Sequence, residues 1–513
     1  MVGIGICLLM SQNQGFFAKS YGTTREDYCF SVIGTQDNGY AMSGYSGAFL
    51  DNGNFLVIKT DSAGSPVWAY EYYQDGFSYD EFGWPIVQAT DGSYYVGGHG
   101  FVDAMSSSND IVLLKISSDG AVQWAKSYGN DSYIDYSHTM VRLSDGGLVI
   151  AGHGVVNPFP TGQDAIVMKI NPTGSVIWAK QYADTYQEHL YGVIQTTDGG
   201  IVAVGVTQRN GSSDFDILVI RLDGFGNPLW IKAYGAPGVN DYGYAIAQLD
   251  DGNIVVAADM AGVGNGIMKI RLSDGALLWT KASSSVILDY FYRPQMTKTS
   301  DGGVVLTAFT TSFGSGQYDF LMLKFSPDGE LLWAKTFGGT NYDLGTCAFE
   351  KPDGRLIIAG MTRSYGVGGY DFALLVTQPD GTFPGECVWD CSPSFTSPTL
   401  LTYTLGSLSD WPHIEKSLTY TRTDPGVVVT PICYPLYESE DEHHTSPGFR
   451  ITCRPFPGGT SFFSPEATDI RIYGVDGKLA FSGELQVGEN RVRLDRGVYF
   501  WTTGGQSGRV AVR

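Results

Sequence analysis

A turn that begins with Asp recurs seven times along this chain of 513 residues. The turn is Asp-Asn in the first copy and Asp-Gly in the other six, and successive copies lie 50 to 54 residues apart. A period of this length is typical of repeat architectures, in which each copy is one supersecondary unit that packs against the next. The seven anchor positions are Asp37, Asp91, Asp145, Asp198, Asp251, Asp301 and Asp353.

Each copy contains four short runs of Val, Ile, Leu and aromatic residues, bounded by turn residues. In the third copy they read YSHTMVRLS, GLVIAGH, DAIVMKI and VIWAKQY. Such runs predict β-strands, and the i, i+3, i+4 spacing of apolar residues that indicates a helix is absent. Four strands in each of seven copies predict an all-β fold with a seven-bladed β-propeller over residues 15–386, because radial repetition protects the sheet edges.

The two ends of the propeller sequence complement each other. The seventh copy has its third strand, DFALLVTQ, but no W-x-K strand after it. The missing strand appears near the start of the chain, where GFFAKSYG (15–22) matches VQWAKSYG of the second copy, with Phe17 in the place of the Trp. The sequence therefore predicts that an N-terminal strand completes the last blade and closes the ring.

A Trp recurs in phase on the fourth strand of six copies. A large flat side chain buries much apolar area, and we interpret these residues as structural, filling the space between neighbouring blades. The neighbouring Lys of W-x-K either pairs with an acidic residue or covers the Trp with its stem. The six residues are Trp68, Trp124, Trp178, Trp230, Trp279 and Trp333.

These repeats resemble the Trp-containing propeller repeats of secreted bacterial proteins. They are more distantly similar to propellers of the quinoprotein type, which also place a Trp after a Gly turn. The resemblance covers residues 15–386 and implies the fold. It implies no activity, because propellers host many functions.

The charge of the chain argues against nucleic acid as a partner, and its hydropathy argues against a membrane-spanning helix. There are 53 Asp and Glu against 32 Lys and Arg, for a formal charge of −21, and such a surface repels nucleic acid. No apolar run is long enough for a membrane-spanning helix. The first segment, 1–14, contains VGIGICLLM, which we interpret as the remnant of a signal peptide or another leader.

The composition changes after the propeller. Residues 387–447 are rich in Ser, Thr and Pro and predict an extended spacer. The following segment, 448–513, contains Pro455-Phe456, IYGVDGK, LDRGVYF and GRVAVR in that order. These stretches resemble the type A C-terminal sorting domain of the type IX (Por) secretion system, although Gly474 stands where Asp is usual and Arg454 where Asn is usual.

The resemblance implies a small β-sandwich that engages an outer-membrane secretion machinery. It also implies that the protein is exported across the outer membrane and is then secreted or held at the cell surface. The alternative is an accessory β-sandwich without a sorting role.

The cysteines agree with an oxidising compartment. Cys29 and Cys347 lie on the first strands of copies one and seven, which a closed ring makes neighbours. Four others lie near the ends of the spacer: Cys387, Cys391, Cys433 and Cys453.

One in-phase position offers candidate ligand contacts. It lies eight residues after each anchor Asp, at the end of the second strand, and a Gly or Ala precedes it. A constant small residue followed by a variable one suggests a rim whose chemistry differs between blades; the alternative is plain packing. Two His without a third ligand do not predict a metal site. The candidates are Tyr45, His99, His153, Asp259 and Phe309.

An acidic residue lies ten positions before the anchor in six copies. It predicts a ring of carboxylates at one mouth of the central channel, which would attract cations. The alternative is that each carboxylate caps a local turn by accepting backbone N–H groups. The six residues are Asp27, Glu81, Asp135, Glu188, Asp241 and Asp343.

No familiar catalytic motif occurs, so we assign no catalytic residue and predict no cofactor; Ca²⁺ has no supporting ligand set. The leading hypothesis is a surface protein that binds a glycan or another surface protein. One alternative is a secreted enzyme, either a quinoprotein-like oxidoreductase or one active on polysaccharides. Another is a structural subunit of a surface layer or filament.

Overall fold

The computed structural model describes residues 16–433 and the strands between 452 and 512, apart from short gaps. The gaps are 49–50, 75–81, 102–108, 130–132, 156–161, 183–186, 210–212, 261, 290–293, 384–387, 406–407, 411–413, 419, 457–458, 465–467, 475–478, 486–487, 494–496 and 503–506. Among the described residues there is no helix of the length and apolarity that a membrane crossing requires.

Seven antiparallel sheets form the blades of a β-propeller, as the repeats predict. β1 (Ala18–Gly22) comes first in the chain. Blade 1 comprises β2 (Asp27–Gly34), β3 (Tyr40–Ala48), β4 (Asp51–Thr60) and β5 (Pro66–Gln74). Blade 2 comprises β6 (Phe82–Gln88), β7 (Tyr94–Phe101), β8 (Asn109–Ile116) and β9 (Val122–Gly129). Blade 3 comprises β10 (Asp135–Arg142), β11 (Leu148–Gly154), β12 (Asp164–Ile170) and β13 (Val176–Tyr182).

The remaining blades follow the same order. Blade 4 comprises β14 (Glu188–Gln195), β15 (Ile201–Thr207), β16 (Asp216–Leu222) and β17 (Pro228–Gly235). Blade 5 comprises β18 (Tyr242–Gln248), β19 (Ile254–Met260), β20 (Gly264–Ile270) and β21 (Leu277–Ser283). Blade 6 comprises β22 (Met296–Lys298), β23 (Val304–Thr310), β24 (Asp319–Phe325) and β25 (Leu331–Phe337). Blade 7 comprises β26 (Asp343–Glu350), β27 (Leu356–Thr362), β28 (Asp371–Thr377) and β1.

The ring closes through the N-terminal strand, and this prediction is confirmed. β1 pairs antiparallel with β28, with Ala18 opposite Leu375. The seam between blades 7 and 1 is tied by Tyr21, whose hydroxyl donates to the carbonyl of Gly64 over 2.7 Å. Phe17 packs against the same glycine.

The Trp residues make the same contact at other blade junctions. Trp124, Trp178 and Trp279 each lie against the turn glycine between the third and fourth strands of the following blade. At Gly174, for example, an added Cβ would lie 2.8 Å from the Trp124 ring, and φ is +81°. Only glycine combines that backbone conformation with so close an approach.

A second repeated contact fixes the turn that opens each copy. The turn Asp pairs with the Lys near the end of the third strand of its own blade, at 2.6 to 3.0 Å in five blades. Arg221 takes the place of the Lys in blade 4, where it pairs with Asp198. The second and third strands of the blades form the core, and β11 and β15 are buried along their whole length.

The segment after blade 7 runs backwards around the outside of the ring. We call residues 389–433 the belt. Its strands pair in turn with the outermost strands of blades 6, 4, 3, 2, 1 and 7. They are β29 (Trp389–Asp390), β30 (Leu401–Thr404), β31 (Ser409–Asp410), β32 (Ile414–Leu418), β33 (Tyr420–Thr423) and β34 (Val428–Cys433).

Within the described residues, the belt pairs with the strands of blade 5 at an isolated bridge between Ala282 and Thr396 and forms no strand there. Pro393 and Pro398 flank that bridge. Proline has no N–H to donate to a strand ladder, so this part of the belt follows the blade without forming a strand.

Residues 438–513 form a second compact unit. It contains a three-stranded and a four-stranded antiparallel sheet. The strands are β35 (Thr452–Phe456), β36 (Gly459–Ser464), β37 (Thr468–Gly474), β38 (Leu479–Leu485), β39 (Gly488–Arg493), β40 (Gly497–Thr502) and β41 (Ser507–Val512).

Candidate functional site: a crown of aromatic and imidazole rings

Ring side chains cluster where the innermost strands of the propeller begin. In blades 1, 3, 4 and 5, rings stand one and three residues after the leading carboxylate. The two rings of each of these blades lie together, with centroids 6.0 to 6.4 Å apart. With the rings at the ends of the second strands, these residues form what we call the crown: Tyr28, Phe30, Tyr136, His138, His189, Tyr191, Tyr242, Tyr244, Tyr45, His99, His153 and Phe309.

Three imidazoles lie in contact in blades 3 and 4. His153 and His189 stack with their ring centroids 3.9 Å apart. His138 Nε2 and His153 Nδ1 are 2.7 Å apart, so one of these nitrogens donates and the other accepts. His189 Nε2 lies 2.6 Å from the Gln163 amide oxygen, which only accepts, so this nitrogen carries a proton.

Phenol rings continue the crown on both sides of the imidazoles. The Tyr136 ring centroid lies 4.0 Å from that of His99, and its hydroxyl accepts a hydrogen bond from the Asn109 amide at 3.1 Å. Tyr191 Oη lies 3.0 Å from His189 Nδ1. This part of the crown therefore offers ring faces together with hydrogen-bonding groups.

The crown is less polar around blades 6, 7 and 1. Tyr28 contacts Tyr45 and Tyr370, with centroids 6.0 and 5.1 Å apart. Phe309 packs edge-on against Tyr318 at 5.2 Å. These rings form one hydrophobic cluster with Leu344, Met361 and Ile287.

The candidate ligand residues from the sequence form the inner layer of the crown. Tyr45, His99, His153 and Phe309 are all buried, with at most 5% of each residue exposed. The first ring of each inner strand is instead partly exposed: Tyr28, Tyr136, His189 and Tyr242. The sequence analysis missed these four, although a ring directly after the leading carboxylate recurs in phase and could have identified them.

Asp259, the fifth candidate, lies on β19 opposite Tyr242. Burial raises the pKa of its carboxyl. The described residues contain no group of three His, Cys, Asp or Glu side chains arranged to hold a metal ion.

The leading carboxylates of the inner strands are buried below the crown. Asp27 Oδ2 accepts the Thr23 N–H at 2.6 Å, and Asp343 Oδ2 accepts the Gly339 N–H at 2.8 Å. These contacts favour local capping over an open ring of charge. Glu81 lies outside the described residues. The other five have no exposed surface: Asp27, Asp135, Glu188, Asp241 and Asp343.

A second buried carboxyl lies at the first or second position of the third strand in five blades, and the sequence patterns described above did not point to it. At Gly235, an added Cβ would lie 1.7 Å from Asp216 Oδ1 and 3.1 Å from Asp241 Oδ2. The glycine that ends the fourth strand therefore lets two carboxyls approach each other at the blade junction. The five residues are Asp110, Asp164, Asp216, Asp319 and Asp371.

Burial gives these carboxyls unusual proton affinity. It raises the pKa of Asp27, Asp164 and Asp319 to about 6. For Asp371, burial and the nearby charge of Asp27 raise the pKa to about 8. Two carboxyls in one low-dielectric site resist double ionisation, so Asp371, beside Asp27, retains a proton that surface carboxyls lose. Asp216 differs, because it pairs with Arg209.

Comparisons with known proteins add structural neighbours only. No family model and no curated protein matches the chain. PorZ of Porphyromonas gingivalis, a surface component of the type IX secretion system, is 12% identical with a TM-score of 0.39; the match covers 92% of this chain and 58% of PorZ. An endo-arabinase from Bacteroides thetaiotaomicron is 13% identical with a TM-score of 0.26, over 72% of this chain and all of the enzyme.

Proposed function

We propose that this chain is a secreted or cell-surface binding protein and that its crown binds a glycan. The observation that carries the proposal is the arc of partly exposed rings on three consecutive blades: Tyr136, His189 and Tyr242. Ligand sites combine aromatic surface with a few fixed polar groups, and the crown has both.

The chemistry of a sugar fits this arc. A pyranose has an apolar face of C–H groups and a rim of hydroxyls. Aromatic faces bury the C–H face of the sugar. Imidazole, phenol and amide groups donate hydrogen bonds to its hydroxyls and accept hydrogen bonds from them. The His189–Tyr191 and Asn109–Tyr136 hydrogen bonds hold such groups in place beside the exposed rings.

The C-terminal unit supports an extracellular location through its sequence. The stretches that resemble a sorting domain fall on or beside strands β35, β37, β40 and β41. We therefore propose that this unit engages the type IX machinery. Removing residues 448–513 should leave the protein inside the envelope of a bacterium that has this machinery; unchanged export would contradict this part of the proposal.

A glycan array probed with the full chain tests the binding proposal. The best saccharide is then titrated by calorimetry. Tyr136→Ala and His189→Ala should each weaken binding about tenfold or more, because each removes a ring from the contact surface. Phe225→Ala is the matched control, since Phe225 is 82% exposed on a turn of blade 4 outside the crown.

Two outcomes would contradict the proposal. One is the absence of binding to any saccharide. The other is an equal loss of affinity in the Phe225 variant, which would show that binding does not depend specifically on the rings of the crown. If the chain binds no saccharide on the array but binds a protein, the ligand of the crown is a protein and not a glycan.

A further inference from the structure

Two thiols meet at the seam of the ring. Cys29 lies on β2 of blade 1 and Cys347 on β26 of blade 7. Both are completely buried and belong to the same hydrophobic cluster, and both are unbonded in this structure. The sequence between 15 and 386 contains no other cysteine.

The contacts of the two sulfurs converge on one short stretch of β2. The Cys29 thiol donates to the Ser31 carbonyl at 3.9 Å. The Cys347 thiol lies beside the backbone of Val32, the next residue; burial raises the pKa of this thiol, and that contact lowers it slightly. The neighbouring Thr346 hydroxyl donates to the carbonyl of Cys29 at 3.0 Å, which holds the two strands together at this level. Burial raises the pKa of the Cys29 thiol, and the nearby Cys347 raises it further.

The seam is the one junction at which distant parts of the chain must find each other. Blade 7 is completed by β1, so ring closure joins strands at opposite ends of the propeller sequence. Cys29 and Cys347 are 318 positions apart (347 minus 29). A covalent link across so long a loop removes much conformational freedom from the unfolded chain.

We propose that Cys29 and Cys347 form a disulfide that locks the seam of the propeller. The two thiols lose two protons and two electrons as the S–S bond forms. A disulfide-bearing thiol oxidant of the compartment in which the chain folds accepts both and leaves as a dithiol. The inference rests on the proposed export, because disulfides persist in oxidising compartments.

Burial of the two thiols determines the stage of folding at which the disulfide forms. It raises the pKa of the Cys347 thiol to about 12 and that of Cys29 well above its usual range. The thiolate is the reactive form, so the closed ring protects both sulfurs from oxidants. The bond therefore forms while the seam is still open during folding, and afterwards it is shielded from reductants.

The experiment is peptide mapping of the full chain produced in an oxidising bacterial periplasm and alkylated under denaturing conditions without reductant. The expected result is a linked pair of peptides carrying Cys29 and Cys347, about 2 Da lighter than their sum. Alkylation of both thiols without prior reduction would overturn the proposal, and so would a different pairing. The host supplies the oxidising compartment, so this result is independent of sorting and of glycan binding.

Thermal unfolding with and without reductant gives a second readout. Reductant added under denaturing conditions before refolding should lower the Tm by about 5 °C. Cys29→Ser and Cys347→Ser should show the lower Tm with or without reductant, whereas Cys391→Ser, a thiol of the belt, should keep the difference. A reductant effect that persists in the Cys29 variant would overturn the proposal. If the seam variants do not fold, the peptide map of the unmodified chain decides alone.

Discussion

At the scale of single residues, the carboxyl pairs at the blade junctions make the fold sensitive to pH. Asp371 has a folded-state pKa of about 8, against roughly 3.9 in an unfolded chain. The stability contributed by its protonated form is present in full below the unfolded value and is lost as the pH rises through 8. Asp27 acts in the same sense, with loss through a pKa of about 6.

We therefore predict that the free energy of unfolding falls between pH 5 and 9 and that Asp371→Asn reduces this fall by about 4 kcal/mol. An Asn oxygen can still accept the Val367 N–H that Asp371 accepts at 2.6 Å. Urea unfolding across this pH range measures the effect. Asp328→Asn, at an exposed turn position, should leave the slope unchanged; an identical slope in the Asp371 variant would contradict the account.

Residue patterns predict the repeat better than they predict the site. The spacing of Trp and Gly indicated the blade junctions because the contact between these two residue types recurs at several of them. The rings of Tyr136 and His189 recur in phase directly after the leading carboxylate, so the pattern was available. Their partial exposure was not, because it depends on how neighbouring blades pack. The second carboxyl of each junction, such as Asp216, was missed because its burial depends on contacts across the blade junction.

At the scale of elements, the belt departs most from what sequence suggests. Its composition predicts an extended spacer, whereas in the structure its strands pair with the outermost strands of six blades. Its strands have only two to six residues and make most of their contacts with distant blades, so local propensity cannot place them. β1 could be placed from sequence because it repeats a motif, and the ring lacks a strand without it.

The pairing of the belt with the blades leads to a prediction about the outermost strands of the blades. A chain ending at 388 should have a lower Tm than the full chain and should aggregate more readily, because the outermost strands of six blades lose their partners. Lys126 and Lys335 would also lose the belt carboxylates with which they pair. The control is a chain ending at 447, which keeps the belt and should melt like the full chain by calorimetry. Equal melting of both truncated chains would show that the belt is not part of the propeller's stability.

At the scale of the whole molecule, the proposed function requires that one end of a ring of seven similar blades is specialised for binding. The most direct test is amide hydrogen exchange of the full chain with and without the saccharide selected by the array. Exchange should slow where the inner strands β10, β14 and β18 begin, around Tyr136, His189 and Tyr242, because a bound ligand suppresses local opening there. Protection confined to the belt or to the turns that carry Asp37 and its six counterparts, with none at these strands, would contradict the claim.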